Sequence, residues 1–187
     1  MNQEELNRYT RWVEDARIRP ECSERVAGAV NRALRNMPRL RPVADILRVP
    51  WTLLAALQEL EASGRMDRHP ANGDSLQRRT VNVPAGLPRR GEPPYTYESV
   101  AGEELAEIQR PPSGVWTLQE MCHAAEHFNG LGYRNKGKPS PYVVAATTLE
   151  EAGRYVADGV YDAKARSNQV GALALWIGLR ESGEEVP

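Results

Sequence analysis

The sequence predicts a mainly α fold of the α+β type, in which a small β-hairpin is inserted into a series of amphipathic helices. Three observations carry that expectation. Apolar residues recur at spacings of three and four through residues 1–65. A segment dense in proline and glycine follows, Arg65–Tyr97, holding one alternating run, Arg79-Thr80-Val81-Asn82-Val83. Helical spacing then resumes toward the C-terminus.

Leu6, Tyr9 and Val13 give the first helical stripe, and Val26, Val30, Ala33, Leu34 and Met37 the second. Pro42 is suited to open a short third helix through Leu47, and Pro50 a fourth that stops at Gly64. The hairpin is expected directly after this fourth helix, with Val81 and Val83 facing one way. A long loop, PAGLPRRGEPPY, leads to a helix capped by Ser99 and running to about Ile108. Thr117 and Glu120 form a capping-box pattern. The helix behind them carries Leu118, Met121, Cys122, Ala125 and Phe128 on one face and ends at Asn129-Gly130. A helix near Glu150–Val156, ending before Gly159, and a last one with Val170, Leu173, Ala174 and Ile177 inward complete the reading.

With 187 residues, 41% of them hydrophobic, the chain fits one main domain, residues 24–187, preceded by a helical extension, residues 1–23. A net charge of −1 supplies no basic field for nucleic acid. Cys22 and Cys122 are too few for a disulfide framework and bridge only if the fold brings them together. No apolar run approaches the ~20 residues of a membrane span, so no membrane insertion is expected. The charged start, MNQEELNRYTRWVEDARIRPE, has no apolar core of a secretory signal. The expectation is therefore a monomer made in the cytoplasm, delivered by other means to any target outside it.

In VPWTLLAALQELEASG, Leu53, Leu54, Leu57 and Leu60 form the apolar stripe, and Glu61 shares it. Glu59 neighbours Thr52, Ala55 and Ala56 instead and is expected to face solvent. A carboxyl held partly out of water is the group that glycoside cleavage uses as a proton donor. The same spacing also describes a helix-end glutamate that simply reaches solvent. After the helix, Asp74 stands in an Asn72-Gly73-Asp74 turn and Thr80 begins the expected strand. An acid and a hydroxyl there are suited to position a water.

Four runs resemble a family of phage and bacterial lysozyme-like proteins active on peptidoglycan. They are the VPW-initiated helix ending in Glu61, the NGD-L-RT-VPAG-P run with PPYTY after it, FNGLGYRNKGKPSPY, and YVADGVYD with NQVGA. The resemblance covers about residues 24–180 in order and spacing. The chain departs from the pattern at Gln58, where the family has His, at Met66, where it has an aromatic, at Pro70 and Ala71, and over Val144 to Leu149. The resemblance implies a lysozyme-like domain that cuts peptidoglycan glycan strands between N-acetylmuramic acid and N-acetylglucosamine. In that reading Glu61 is the acid, and Asp74 with Thr80 holds the water. Asn72, Gly73, Arg79, Asn129, Gly130, Tyr133, Arg134 and Tyr142 are then expected to contact substrate. Hydrolysis of this kind needs no metal or organic cofactor, and none is expected. A lytic transglycosylase using the same acid, and a wall-binding or virion protein without activity, are the alternatives.

Two patterns compete with this reading. His123-Ala-Ala-Glu126-His127 matches the H-x-x-E-H motif of one zinc-peptidase class, with Glu150 or Glu151 as a third ligand. Both histidines, however, fall on the expected polar side of their helix. His69 is read as a turn residue that either lines a cleft or does not. Arg78, Arg79, Arg89 and Arg90 are suited to attract an anionic polymer or merely to solvate a loop. Tyr95, Tyr97, Tyr133 and Tyr142 are suited to stack on sugars or to anchor loops.

Overall fold

The computed structural model describes residues 1–157 and 160–187. Asp158 and Gly159, within the YVADGVYD run, lie outside the described residues, and with them the helix end expected before Gly159. Helix takes 49% of the chain and strand 5%, with a single small antiparallel hairpin among the described residues, so the mainly α class holds. No helix among the described residues is long and apolar enough to cross a membrane. The chain forms two compact units, residues 1–30 with 109–187, and residues 31–108.

The first unit opens with α1 (Gln3–Asp15), started by a reciprocal capping box between Asn2 and Glu5. Its buried face is Glu5, Tyr9 and Trp12; Leu6 and Val13, expected inside, lie half-buried at its flank. A 3-10 turn, Pro20–Cys22, leads into α2 (Ser23–Leu47). Helix α5 (Leu118–Asn129) starts at Thr117, whose hydroxyl accepts from the Glu120 amide, and stops at Gly130. Helix α6 is the single turn Pro141–Val144, and α7 spans Ala172–Glu181. Helix α1 packs on α5, and α5, α6 and α7 pack together around Tyr9, Met121, Leu173, Leu175, Trp176 and Leu179. Because α5 and α7 are enclosed on several sides, their burial is wider than one stripe. His123, Glu126 and Trp176 are buried, whereas Phe128 and Ile177 are only half-buried. Gly178 lets α7 approach the first turns of α2: a Cβ there would stand 2.8 Å from Val30 Cγ2.

The hairpin of the fold is β1 (Arg154–Ala157) with β2 (Val160–Asp162), where a helix was expected. Tyr155 pairs with Tyr161 across it, and aromatic pairs of this kind favour strand over helix. Cys22 and Cys122 are both buried free thiols.

The second unit contains the rest of α2, then α3 (Trp51–Ala62) and α4 (Tyr97–Glu104). Pro42 does not open a new helix. Pro38 and Pro42 both lie inside α2 on its exposed side, where the carbonyls that lose an amide partner can be hydrated. Helix α3 is buried almost all round, with only Trp51, Glu59 and Glu61 half-buried. It ends at Ser63 in a left-handed conformation, followed by Gly64. Helix α4 is capped by Thr96, with Ser99 three residues in as the reciprocal partner rather than the cap. Leu40, Leu53, Leu54, Leu57, Tyr97 and Leu105 fill this unit's core.

The strand expected at Arg79–Val83 does not form. Val81 and Val83 are 59% and 89% exposed, and the segment after α3 makes only an isolated bridge, Arg68 with Ser75. The amides of Val81 and Asn82 both donate to one oxygen of Asp74 instead of to a neighbouring strand.

Candidate functional site

The site residues named from the sequence fall into two groups, one in each unit. In the second unit, Glu61 occupies the penultimate position of α3 and is half-buried. The Asn72-Gly73-Asp74 turn is folded onto the backbone at that point. His69 N donates to Asp74 O at 2.8 Å and Gly73 N to His69 O at 2.9 Å, which closes the turn. Gly73 has φ of +73°, and a Cβ on it would overlap the carbonyl oxygen of Glu61. Only glycine satisfies both conditions.

Asp74 is buried, and its carboxylate is fully engaged in building the following loop. Oδ2 accepts from Val81 N at 2.7 Å and Asn82 N at 2.9 Å, and Oδ1 accepts from Asn82 Nδ2 at 2.7 Å. Burial pushes its pKa up, but these three donors outweigh burial and hold it below the usual aspartate value. Thr80 is likewise buried. Its hydroxyl donates to Pro84 O at 2.7 Å and accepts from Leu87 N at 2.9 Å. Asn72 donates to Asn82 O at 2.9 Å and accepts from Asp74 N at 3.1 Å. Arg79 donates to Pro88 O and Gly91 O, both at 2.7 Å. Asn72, Asp74, Arg79 and Thr80 therefore hold the loop from Thr80 to Gly91. In this structure the polar atoms of Asp74 and Thr80, expected to hold a water, and of Asn72 and Arg79, expected to reach substrate, are engaged by the loop. Their polar atoms meet loop backbone because a long segment without a ladder must have its amides and carbonyls satisfied by side chains.

Other expectations are revised alongside these. Glu59 does not face solvent: Arg32 Nε and Nη2 donate to its two oxygens at 3.0 and 2.6 Å. Gln58, at the departure from the family pattern, donates from Nε2 to Arg65 O at 2.5 Å and ties down the turn after α3. His69 is wholly buried, with Nε2 2.8 Å from Arg78 O and Nδ1 2.5 Å from Glu104 Oε1. Burial pushes the Glu104 carboxyl up, and the contact with His69 offsets only part of that rise. Tyr95 is buried with Leu76 and Val100 and anchors the loop before α4, and Tyr97, the first residue of α4, is buried in the core.

In the first unit, Asn129, Gly130, Tyr133 and Tyr142 line one pocket of about 510 Å³. The sequence reading missed Tyr155, Arg154, Ser167 and Gln169, which share it. Tyr155 and Gln169 belong to the YVADGVYD and NQVGA runs, and Arg154 and Ser167 immediately precede them, but assigning a helix to the first run concealed its hairpin. Tyr133 Oη accepts from Tyr155 N at 2.9 Å, and the rings of Tyr133, Tyr155 and Tyr161 meet edge to face with centroids 5.4 and 5.3 Å apart. A Cβ on Gly132 would meet the Tyr155 ring at 3.6 Å, an ordinary van der Waals contact. None of the described lining residues is Asp or Glu.

Arg134 is not part of that pocket. It donates to Glu5 Oε1 at 2.5 Å, to Tyr9 Oη at 2.7 Å and to Glu126 Oε2 at 2.6 Å. Glu126 is 1% exposed and also accepts from Tyr9 Oη at 2.6 Å, so it cannot serve as the base of a zinc peptidase. Glu150, one expected third ligand, accepts from Arg19 Nη2, Ser167 N and Ala146 N and is committed to loop structure. Comparison with known protein families, with curated proteins and with solved structures returns no match to this chain.

Proposed function

We propose that this protein cleaves the glycan strands of peptidoglycan with Glu61 as the proton donor. The substrate class rests on the four sequence runs that resemble lysozyme-like proteins. The observation that carries the reaction is the position of Glu61. It is a half-buried glutamate near the end of an otherwise enclosed helix, with the Gly73 turn seated on its own backbone. A glutamate so placed has a fixed backbone, which is what a positioned acid requires. The tyrosine-lined pocket of the first unit supports carbohydrate binding, since aromatic side chains beside Asn129, Ser167, Gln169 and Arg154 offer apolar contact and hydrogen bonds to sugar rings.

In the reaction, the Glu61 carboxyl gives its proton to the glycosidic oxygen as the C1–O bond breaks. In a muramidase, water then bonds to C1 and loses a proton to a base. The commitment of Asp74 and Thr80 to the loop favours a second reading, a lytic transglycosylase. There the C6 hydroxyl of the muramyl residue attacks C1 and returns its proton to the Glu61 carboxylate, so no held water is needed. Mass spectrometry of fragments released from purified peptidoglycan tests both. New reducing ends indicate hydrolysis and 1,6-anhydro ends indicate transglycosylation. Tight binding to sacculi with no release would leave a wall-binding protein.

A further inference from the structure

We propose that Glu5, His123 and His127 form a binding site for a divalent transition metal of the zinc class, joining α1 to α5 within the first unit. Each of the three residues offers one ligand atom, and these atoms lie within 4.8 Å of one another. His123 and His127 are one turn apart on α5, and their rings lie with centroids 4.2 Å apart. His127 Nε2 stands 3.9 Å from Glu5 Oε1. A zinc ion with bonds of about 2.0–2.1 Å in tetrahedral geometry needs ligand atoms roughly 3.3 Å apart. Small side-chain rotations supply that closure.

A second observation points independently to a ligand. His123 Nδ1 and His127 Nε2 are buried with no hydrogen-bond partner among the described residues. A buried ring nitrogen without a partner is costly, and a bound cation satisfies a lone pair directly. Arg134, donating to Glu5 Oε1, fits the role of the outer partner that orients a ligating carboxylate.

Two histidines and a glutamate form a set that zinc sites use, with a fourth position open to water. Here His127 is the more exposed histidine, its side chain 26% accessible, although its Nε2 is buried. The H-x-x-E-H spelling of the sequence thus contributes both of its histidines but not its glutamate, and the third ligand comes from α1. The site is distinct from Glu61, and with Glu126 paired to Arg134 it has no base for peptide hydrolysis. Its role is to hold the two helices together.

The test uses the full chain, stripped with chelator and titrated with Zn²⁺ and Co²⁺. We expect one ion per chain and Co²⁺ visible bands of a four- or five-coordinate site. At a hundredfold excess over Kd, Zn²⁺ should raise Tm by about 5–10 °C. His127→Ala and Glu5→Gln should each weaken binding more than about 100-fold, since losing only an outer partner costs roughly 10–100-fold. X-ray absorption on the zinc-loaded wild-type chain needs no variant and should report two imidazoles. Absence of saturable binding, a spectrum without paired imidazole scattering, or unchanged affinity in His127→Ala would each overturn the proposal.

Discussion

Gly73 lies flat against the carbonyl oxygen of Glu61, leaving no room for a side chain between the turn and the end of α3. Gly73→Ala meets both a left-handed φ and this overlap. It should lower stability by about 2–3 kcal/mol, more than an ordinary strained-φ substitution costs. The turn should also be displaced from Glu61, so wall-cleaving activity should fall with it. Urea unfolding of the variant beside wild type checks the first point, and release of soluble muropeptides the second. Wild-type stability in the variant would mean that the turn does not rest on the helix.

Glu61→Gln keeps the shape of the side chain and removes its proton. Cleavage should fall about 10²–10⁴-fold, with the melting temperature little changed. Glu59→Gln provides the contrast. It weakens the pair with Arg32, which is 34% exposed, so the cost should be about 1 kcal/mol or less while turnover stays within a few-fold of wild type. Equal loss of turnover in both variants would remove Glu61 from its assigned role.

Asp74→Asn replaces an acceptor of three N–H donors with a group that itself donates. The loop should loosen at a cost of about 1–3 kcal/mol. Because the folded-state pKa of Asp74 is lowered, its ionised form stabilises the fold above the unfolded aspartate value, about 3.9. That contribution is lost as pH falls through the folded value. Wild type should therefore lose stability on the acid side more steeply than Asp74→Asn, measured by denaturant unfolding across pH. Parallel profiles would assign the acid limb to other carboxylates.

Glu104 works in the opposite direction. Its folded-state pKa is raised, so its stabilising contribution is complete below the unfolded glutamate value, about 4.3, and is lost as pH rises through the folded value. Glu104→Gln offers the same polar atoms as the protonated acid, a donor for His69 Nδ1 and an acceptor for Ala71 N, and should cost little. Glu104→Ala strands both partners and opens a cavity, and should cost about 2–4 kcal/mol. A Gln variant as unstable as the Ala variant would mean the carboxylate itself is required.

Much of the helical scaffold is legible in the sequence because capping and breaking residues act locally. Thr117 starts α5, Gly130 ends it, Pro50 precedes α3, and Ser63 with Gly64 terminates it, each through bonds to residues a few positions away. Apolar spacing likewise identifies which segments are buried. It does not identify how much of each helix is enclosed, so His123 and Glu59 lie in surroundings other than those their helical phase predicts. Burial on a second or third side depends on neighbours distant in the chain. The hairpin at Tyr155 and Tyr161 was missed for a similar reason, since strand pairing is a relation between two segments rather than a property of one.

By itself the sequence determined the mainly α class, both ends of α3 and of α5, and the presence of Glu61 near the end of α3. Only the tertiary structure decided which polar side chains remain available for chemistry. Asp74, Thr80, Asn72 and Arg79 satisfy amides and carbonyls of an irregular loop, and Arg134 donates to Glu126. Glu5, His123 and His127 meet because α1 packs on α5. The physical reason is that leaving a buried polar atom without a partner is costly, and the partner available to it is set by the packing of segments far apart in the chain.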